Sequence, residues 1–280
     1  MVADAEGVNL LIRYDAEGDL NMTDLRNYSK LYDENEVELV EKTFIPLSDN
    51  LKRKQFVNGT VELIDANLTF DPMRPYIDLG TQKKAPRKYI QKELNWFLSQ
   101  DLSINGHVDD VEIWKQIAAK ETGHVNSNYG WMVFSKENGD QYAHAVYQLK
   151  TNPNGRQSTC IYMRPTMQVE WNDRVHADHD FACTFATQHL IRNERLDYIV
   201  WQRSMDLIFG FVNDFAWHCY VYQKMLSELN MDSSIQIKPG RVLYHAGSAH
   251  IYERHFDLLR GVVDEYTTDG VKQLELNFAA

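Results

Sequence analysis

Residues 196–217, LDYIVWQRSMDLIFGFVNDFAW, change character in mid-run. From Tyr198 to Trp201 every residue is β-branched or aromatic, the composition of a strand. Gln202, Arg203 and Ser204 end that run, and past Gly210 the residues up to Leu229 read as one long helix. A strand that hands Arg203 and Ser204 to a turn sets a guanidinium beside a hydroxyl, a pairing that suits a phosphate oxyanion. A surface ion pair is the plain alternative.

The rest of the chain mixes strand and helix in the same way. STCIYMRP (158–165) is a short β-rich run, and GTVELIDANLTFDP (59–72) alternates as strands do, with Val61, Leu63, Ile64, Leu68 and Phe70 as inward candidates in a two-strand start. RKYIQKELNWFLSQD (87–101) sets Tyr89, Ile90, Leu94, Phe97 and Leu98 on one helical stripe. RVLYHAGSAHIYERHFDLL (241–259) reads as a strand, a turn at Gly247 and then a helix. Strands and helices without a strict alternating repeat indicate an α+β or mixed α/β fold. The acidic residues 1–50, with a capped helical pattern in MTDLRNYSKLY (22–32), read as an N-terminal appendage, and residues 51–280 as one catalytic domain.

A net charge of −11 argues against a protein that coats nucleic acid, because neutralising phosphates needs a surplus of Lys and Arg. The chain has no basic start followed by an apolar run, and no stretch of about 18 apolar residues, so no membrane role is expected. Cys160, Cys183 and Cys219 are an odd, widely spaced set, which fits neither a disulfide framework nor paired zinc knuckles. A soluble, cytoplasmic protein with a reactive thiol is the reading that follows.

HADHD (176–180) hints at a metal, but the four convergent ligands of a zinc site and the H-x-E and P-C-x-x-C of a nucleobase deaminase are missing, so it reads as a polar loop. No metal is expected. Cys183, after Phe181 and Ala182, reads by itself as a small hydrophobe in a strand. Glu93 is harder to dismiss, since a carboxylate inside an apolar stripe is either paired or raised in pKa, and a raised pKa serves proton transfer.

KELNWFLSQD (92–101), IWKQIA (113–118), VNSNYGW (125–131), NPNGRQSTCIYMRPTMQ (152–168), DFACT (180–184), QRSMDLIFGFVNDFAW (202–217) and GSAHIYERHF (247–256) together carry a resemblance. In unbroken order they resemble the thymidylate synthase superfamily, and within it the phage enzymes that hydroxymethylate deoxycytidylate. The resemblance implies a thymidylate synthase-like α/β (α+β) fold, a mixed twisted sheet flanked by helices, and a homodimer formed through the sheet face. It implies that Cys183 adds to C6 of the pyrimidine, that C5 then attacks the one-carbon unit of 5,10-methylenetetrahydrofolate, and that Glu93 organises water and proton movements. Tyr129 and Asp206 match further active-site positions. Arg203, Ser204 and Gln202 match nucleotide ligands, Arg156 matches an arginine lent across the dimer interface to the partner's phosphate, and His250 and Tyr252 match the pair near the sugar hydroxyl. Trp114, Asp206 and Gly210 stand where folate packs.

The sequence departs from the synthase pattern at four places. Gln157 stands where synthases carry a second arginine, and Thr184 where they carry a histidine. Ile117 stands where a second tryptophan would fall, which leaves room for an ordered water. Asp214 stands at the position of an asparagine that reads uracil. An amide matches uracil N3–H and O4, whereas a carboxylate accepts from the cytosine 4-amino group and can share a proton with N3. The resemblance therefore implies dCMP as substrate and 5-hydroxymethyl-dCMP as product. A dCMP methylase, a CMP or dUMP hydroxymethylase and, outside catalysis, a nucleotide-binding regulator are the alternatives. The closing LELNFAA (274–280) is a segment that could cover the site.

Overall fold

The computed structural model describes residues 32–172, 180–231 and 236–278. In chain order they form α1 (Glu34–Leu39), a π-helical turn (Val40–Phe44), α2 (Ile45–Lys52), β1 (Thr60–Phe70), α3 (Arg87–Ser99), α4 (Glu112–Ile117), α5 (Tyr129–Phe134), α6 (Gln141–Thr151), β2 (Thr159–Ile161) and α7 (Met167–Asn172). There follow β3 (Thr184–Arg192), β4 (Arg195–Gln202), β5 (Met205–Asp206), α8 (Gly210–Met231), β6 (Lys238–Tyr252), a single 3-10 turn (Glu253–His255) and α9 (Phe256–Phe278). They fall into two compact units, one drawn from residues up to 85, 204–223 and 241 onward, the other from 86–203 and 224–240. Among the described residues no helix is long and apolar enough to cross a membrane.

In the first unit β1 pairs antiparallel with β6, from Thr60 opposite Tyr252 to Phe70 opposite Val242. The short β5 lies parallel to β6, with Met205 opposite Ala249 and Asp206 opposite His250. Two expectations are corrected here. Residues 60–70 are one strand, not two, and Gly247 lies within β6, not at a turn. Asp65, at φ 57°, reverses the inward alternation of β1: Val61 is buried before it, Ala66, Leu68 and Phe70 after it, and Ile64, expected inward, is 71% exposed. Strand β6 switches faces at the matching place, with Ala246 and Ala249 both buried.

Phe70, Phe211, Phe215 and Tyr244 form the aromatic centre of this unit, with ring centroids between 5.0 and 6.1 Å apart. Each such ring, fully buried, contributes about 2–3 kcal/mol by area alone. A reciprocal box opens α1: the Asp33 carboxylate accepts from the N–H of Asn35 and Glu36, and Glu36 accepts from the N–H of Asp33. That start directs Leu39, Val40, Phe44 and Leu47 inward. The helix expected over 22–32 lies, except for Tyr32, outside the described residues. The segment 274–278 continues α9.

In the second unit β2, β3 and β4 run antiparallel. The β3–β4 hairpin turns through Asn193 (φ 50°) and Glu194 (φ 61°), two left-handed residues as a tight two-residue hairpin requires. At its other end the pairing skips Phe185, between Thr184 opposite Gln202 and Ala186 opposite Trp201. Such a bulge re-aims the residues beside it, and here it follows Cys183. Helix α3 buries Ile90, Glu93, Leu94, Trp96 and Phe97. Leu98, expected on the stripe, is 38% exposed because the buried face is rotated toward Trp96, whose indole N–H donates to the Asp101 and Ser103 carbonyls.

Candidate active site

Burial separates the three cysteines. Cys160 and Cys219 are buried; desolvation pushes the Cys160 thiol up to about 12 and raises Cys219 well above its ordinary value. Cys183 alone is half-exposed, on the irregular step just before the β3 bulge. Arg203 frames that step. Its backbone N–H donates to the Cys183 carbonyl at 2.9 Å, Nε to the Ala182 carbonyl at 3.0 Å and Nη2 to the Phe181 carbonyl at 2.6 Å. The guanidinium carbon stands 4.8 Å from the Phe181 ring centroid. Arg203 is nevertheless exposed, and among the described residues its Nη1 carries no hydrogen bond.

Below the thiol, Thr184 donates its N–H to the Tyr129 hydroxyl at 3.3 Å and receives Gln202 Nε2 on its own hydroxyl at 3.2 Å. Tyr129 opens α5 and is placed by Asn128, which caps the helix through the Trp131 N–H and donates to the Trp96 and Asp101 carbonyls. The Tyr129 ring stacks on Phe97 at 5.2 Å. Phe97 lies one turn after Glu93 on α3, so packed contacts connect the thiol's strand to the helix that carries the buried carboxylate.

Glu93 is 5% exposed. One of its oxygens accepts from the Tyr89 hydroxyl at 2.5 Å and from Trp114 Nε1 at 3.2 Å, and the indole N–H also reaches Tyr89 Oη at 2.8 Å. Burial raises the carboxyl to about 7, with the Tyr89 and Trp114 donors only partly opposing it. Such a group can hold or release a proton near neutral pH. Trp114, on α4, packs edge-on against Trp96 at 4.9 Å.

Arg156 and Asp180 make contacts of their own in this unit. Arg156 is exposed in the loop before β2; its N–H donates to Gln157 Oε1 and its carbonyl accepts from Gln188 Nε2, which leaves the guanidinium without a partner among the described residues. Of HADHD only Asp180 is described, and it is structural: its carboxylate accepts from the Ser127 N–H at 2.6 Å and the Ser127 hydroxyl at 2.7 Å.

In the first unit the candidates lie along β5, α8 and β6. Asp206 accepts from the Ile208 N–H at 3.0 Å and the Phe209 N–H at 3.4 Å, which shapes the turn into α8. Ser204 precedes β5 and is half-exposed. Gly210 and Asp214 stand four residues apart at the start of α8, on one face. Opposite Asp206, His250 is 8% exposed and approaches Ser248 Oγ through Nδ1 at 3.4 Å, while Ser248 donates to Glu62 at 2.7 Å. Tyr252 meets the His250 ring edge-on at 5.2 Å.

Sequence reading passed over one residue here. Lys83 donates to the Ile208 carbonyl and stands 4.4 Å from the Phe209 ring centroid. Burial lowers its pKa, and the charge of Asp206 partly restores it. No local signal marks it, because its partners are 125 residues away.

Residues 41–280 match the family model described as Thymidylate synthase. That match spans most of the chain and shows its class: the chain belongs to the thymidylate synthase family. Among its relatives, Deoxycytidylate 5-hydroxymethyltransferase of Enterobacteria phage T4 is 39% identical over 227 residues, covering 79% of this chain and 89% of the relative. The protein of the same name from Enterobacteria phage T6 is 38% identical over 227 residues with the same coverage. Thymidylate synthase of Francisella tularensis subsp. holarctica is 26% identical over 216 residues, covering 74% and 76%.

Proposed function

We propose that this chain is a folate-dependent pyrimidine nucleotide C5 hydroxymethyltransferase, which converts dCMP, 5,10-methylenetetrahydrofolate and water to 5-hydroxymethyl-dCMP and tetrahydrofolate. The observation that carries the choice of base is Asp214, at the start of α8, where synthases of the family have an asparagine. Its carboxylate accepts from the 4-amino group and shares a proton with N3, and protonation at N3 makes C6 more electrophilic. The phage relatives named for deoxycytidylate support the same choice.

Cys183 adds as thiolate to C6, and the electron pair passes to C5. C5 bonds to the folate methylene carbon, and the C5 proton leaves. Release of tetrahydrofolate yields an exocyclic methylene, water adds to it, and elimination of the thiolate returns Cys183. Glu93 holds or moves the protons of these steps, and Tyr129 and Asp206 support them. Arg203, Ser204 and Gln202 bind the nucleotide, His250 and Tyr252 its sugar. Trp114, Asp206 and Gly210 receive the folate, with Ile117 leaving space for the attacking water. No step calls on a metal.

The proposed active form is a homodimer in the host cytoplasm, with residues 51–280 as its catalytic part. Arg156 reaches the partner's phosphate. The half-exposed face of β2–β4 supports an isologous contact: Ile161 is 50% and Phe185 40% exposed, with Leu190, Ile199 and Trp201 half-exposed. Release of tritium from dCMP labelled at C5 tests the reading. Folate-dependent release from dCMP, and little from dUMP, is expected; release from dUMP alone overturns the base, and binding without release returns the chain to a nucleotide-binding regulator.

A further inference from the structure

The helix that closes the chain reaches back to the loop before α3. Glu265 of α9 accepts from the Thr81 N–H at 2.7 Å, the Thr81 hydroxyl at 2.5 Å and Gln82 Nε2 at 2.7 Å, and the Tyr32 hydroxyl lies 3.4 Å away. Burial alone would raise its carboxyl, but these donors outweigh it and hold the group below the ordinary carboxylate range. The approach is built on both sides. Gly80 sits at φ +55°, and a Cβ there would overlap Glu265 Oε1. A Cβ at Gly261, one turn before Glu265 on α9, would stand 2.5 Å from Gln82 Oε1.

The next residue of that loop is Lys83, which holds the Ile208 carbonyl and covers the Phe209 ring. Ile208 and Phe209 also receive the Asp206 cap. Two grips therefore lie within three residues: Glu265 on Thr81 and Gln82, and Lys83 on the turn from Asp206 to Gly210. We infer that Glu265 is a positioning residue for the one-carbon donor: through Thr81 and Gln82, α9 keeps Lys83 on the Ile208 carbonyl and so keeps Asp206–Gly210 in the shape that binds folate. The inference rests on the folate-dependent reading above. It assigns the terminal helix a share in co-substrate affinity and none in the contacts at the thiol and the phosphate, because Cys183 and Arg203 are braced within the other unit.

The test compares Glu265→Ala, Glu265→Gln and Lys83→Ala in the full chain. Glu265→Ala is expected to raise KM for methylenetetrahydrofolate about tenfold, the scale of a small displacement in a positioned site, and to leave the Kd for dCMP unchanged. Glu265→Gln keeps a carbonyl for the Thr81 N–H and an amide for its hydroxyl, and limits the rise to about threefold. Lys83→Ala matches Glu265→Ala, and the double variant is no worse than Lys83→Ala, as for residues acting in series. Equal weakening of folate and nucleotide, full additivity in the double variant, or no change in folate KM overturns the role. If Glu265→Ala does not fold, Thr81→Val with Gln82→Ala removes the same contacts from the loop side, with the same expected rise.

Quenching of tryptophan fluorescence by tetrahydrofolate separates the two readings. No quenching in the parent, with dCMP present, overturns folate dependence and the positioning role with it. Quenching in the parent with unchanged affinity in Glu265→Ala overturns the positioning role alone.

Discussion

The backbone N–H of Arg203 donates to the carbonyl of Cys183 over 2.9 Å, so the proposed phosphate ligand and the proposed nucleophile are held by one rung of backbone hydrogen bonding. Two guanidinium bonds to the Phe181 and Ala182 carbonyls stiffen the same step. Lysine supplies a charge but no planar fork. Arg203→Lys should therefore lower kcat/KM for dCMP by about a hundredfold, with a thermal midpoint only a few degrees lower. Activity within threefold of the parent, measured by tritium release, would mean that charge alone suffices there.

Arg156 leads to a prediction about assembly. Arg156→Ala and Cys183→Ser should each be nearly inactive alone, the second still binding dCMP because serine is nearly isosteric with cysteine but a far poorer nucleophile. Mixed under subunit exchange they should recover about a quarter of parent activity, since half the dimers are mixed and each mixed dimer has one complete site. No recovery after exchange has been proven by mass would leave Arg156 serving its own chain or none.

Glu93 predicts a pH dependence with a definite sign. Its folded pKa is raised from 4.5 to about 7 by burial, so its contribution to stability is fully present below 4.5 and is lost as pH rises through about 7. Glu93→Gln removes that slope, and at pH 8 it should gain up to about 3 kcal/mol relative to its standing at pH 4. Glu36, also raised to about 7 by burial, titrates in both proteins and cancels in the comparison. Urea unfolding at both pH values decides it; parallel profiles would remove the shift from Glu93. Turnover in Glu93→Gln should fall about a hundredfold as the proton carrier is lost.

The proposed reading of the base by Asp214 can be tested by substitution. Asp214→Asn should lower kcat/KM for dCMP and improve the relative use of dUMP, because an amide complements uracil N3–H and O4 but has no proton to share with cytosine N3. It need not make an efficient uracil enzyme, since Thr184 and the residues around it stay those of the parent. An unchanged ratio of kcat/KM for the two nucleotides would show that Asp214 does not read the base.

Features set by local periodicity or by one continuous run were legible in the sequence. The α3 stripe exposed Glu93 as a misfit, and the strand–turn–helix of 196–217 showed both the ends of its elements and its polar side chains. Where a single backbone residue changes the pattern, alternation misled: left-handed Asp65 puts Ala66 on the buried side with Val61 and leaves Ile64 outward, and opposite it β6 continues as a strand past Gly247 while changing face. Trp96 escaped the stripe because its indole is held by carbonyls beyond the helix end. Lys83 and Glu265 were invisible for a different reason. Each acts on partners more than a hundred residues distant, and no spacing rule spans such a gap.

The mass of the nucleotide formed from dCMP and methylenetetrahydrofolate in oxygen-18 water distinguishes hydroxymethyl from methyl transfer. The expected product is dCMP plus one hydroxymethyl group whose oxygen carries the solvent label, with tetrahydrofolate as the folate product and nothing formed by Cys183→Ser. A methyl product accompanied by dihydrofolate would contradict it, since hydride and not water would then have closed the reaction.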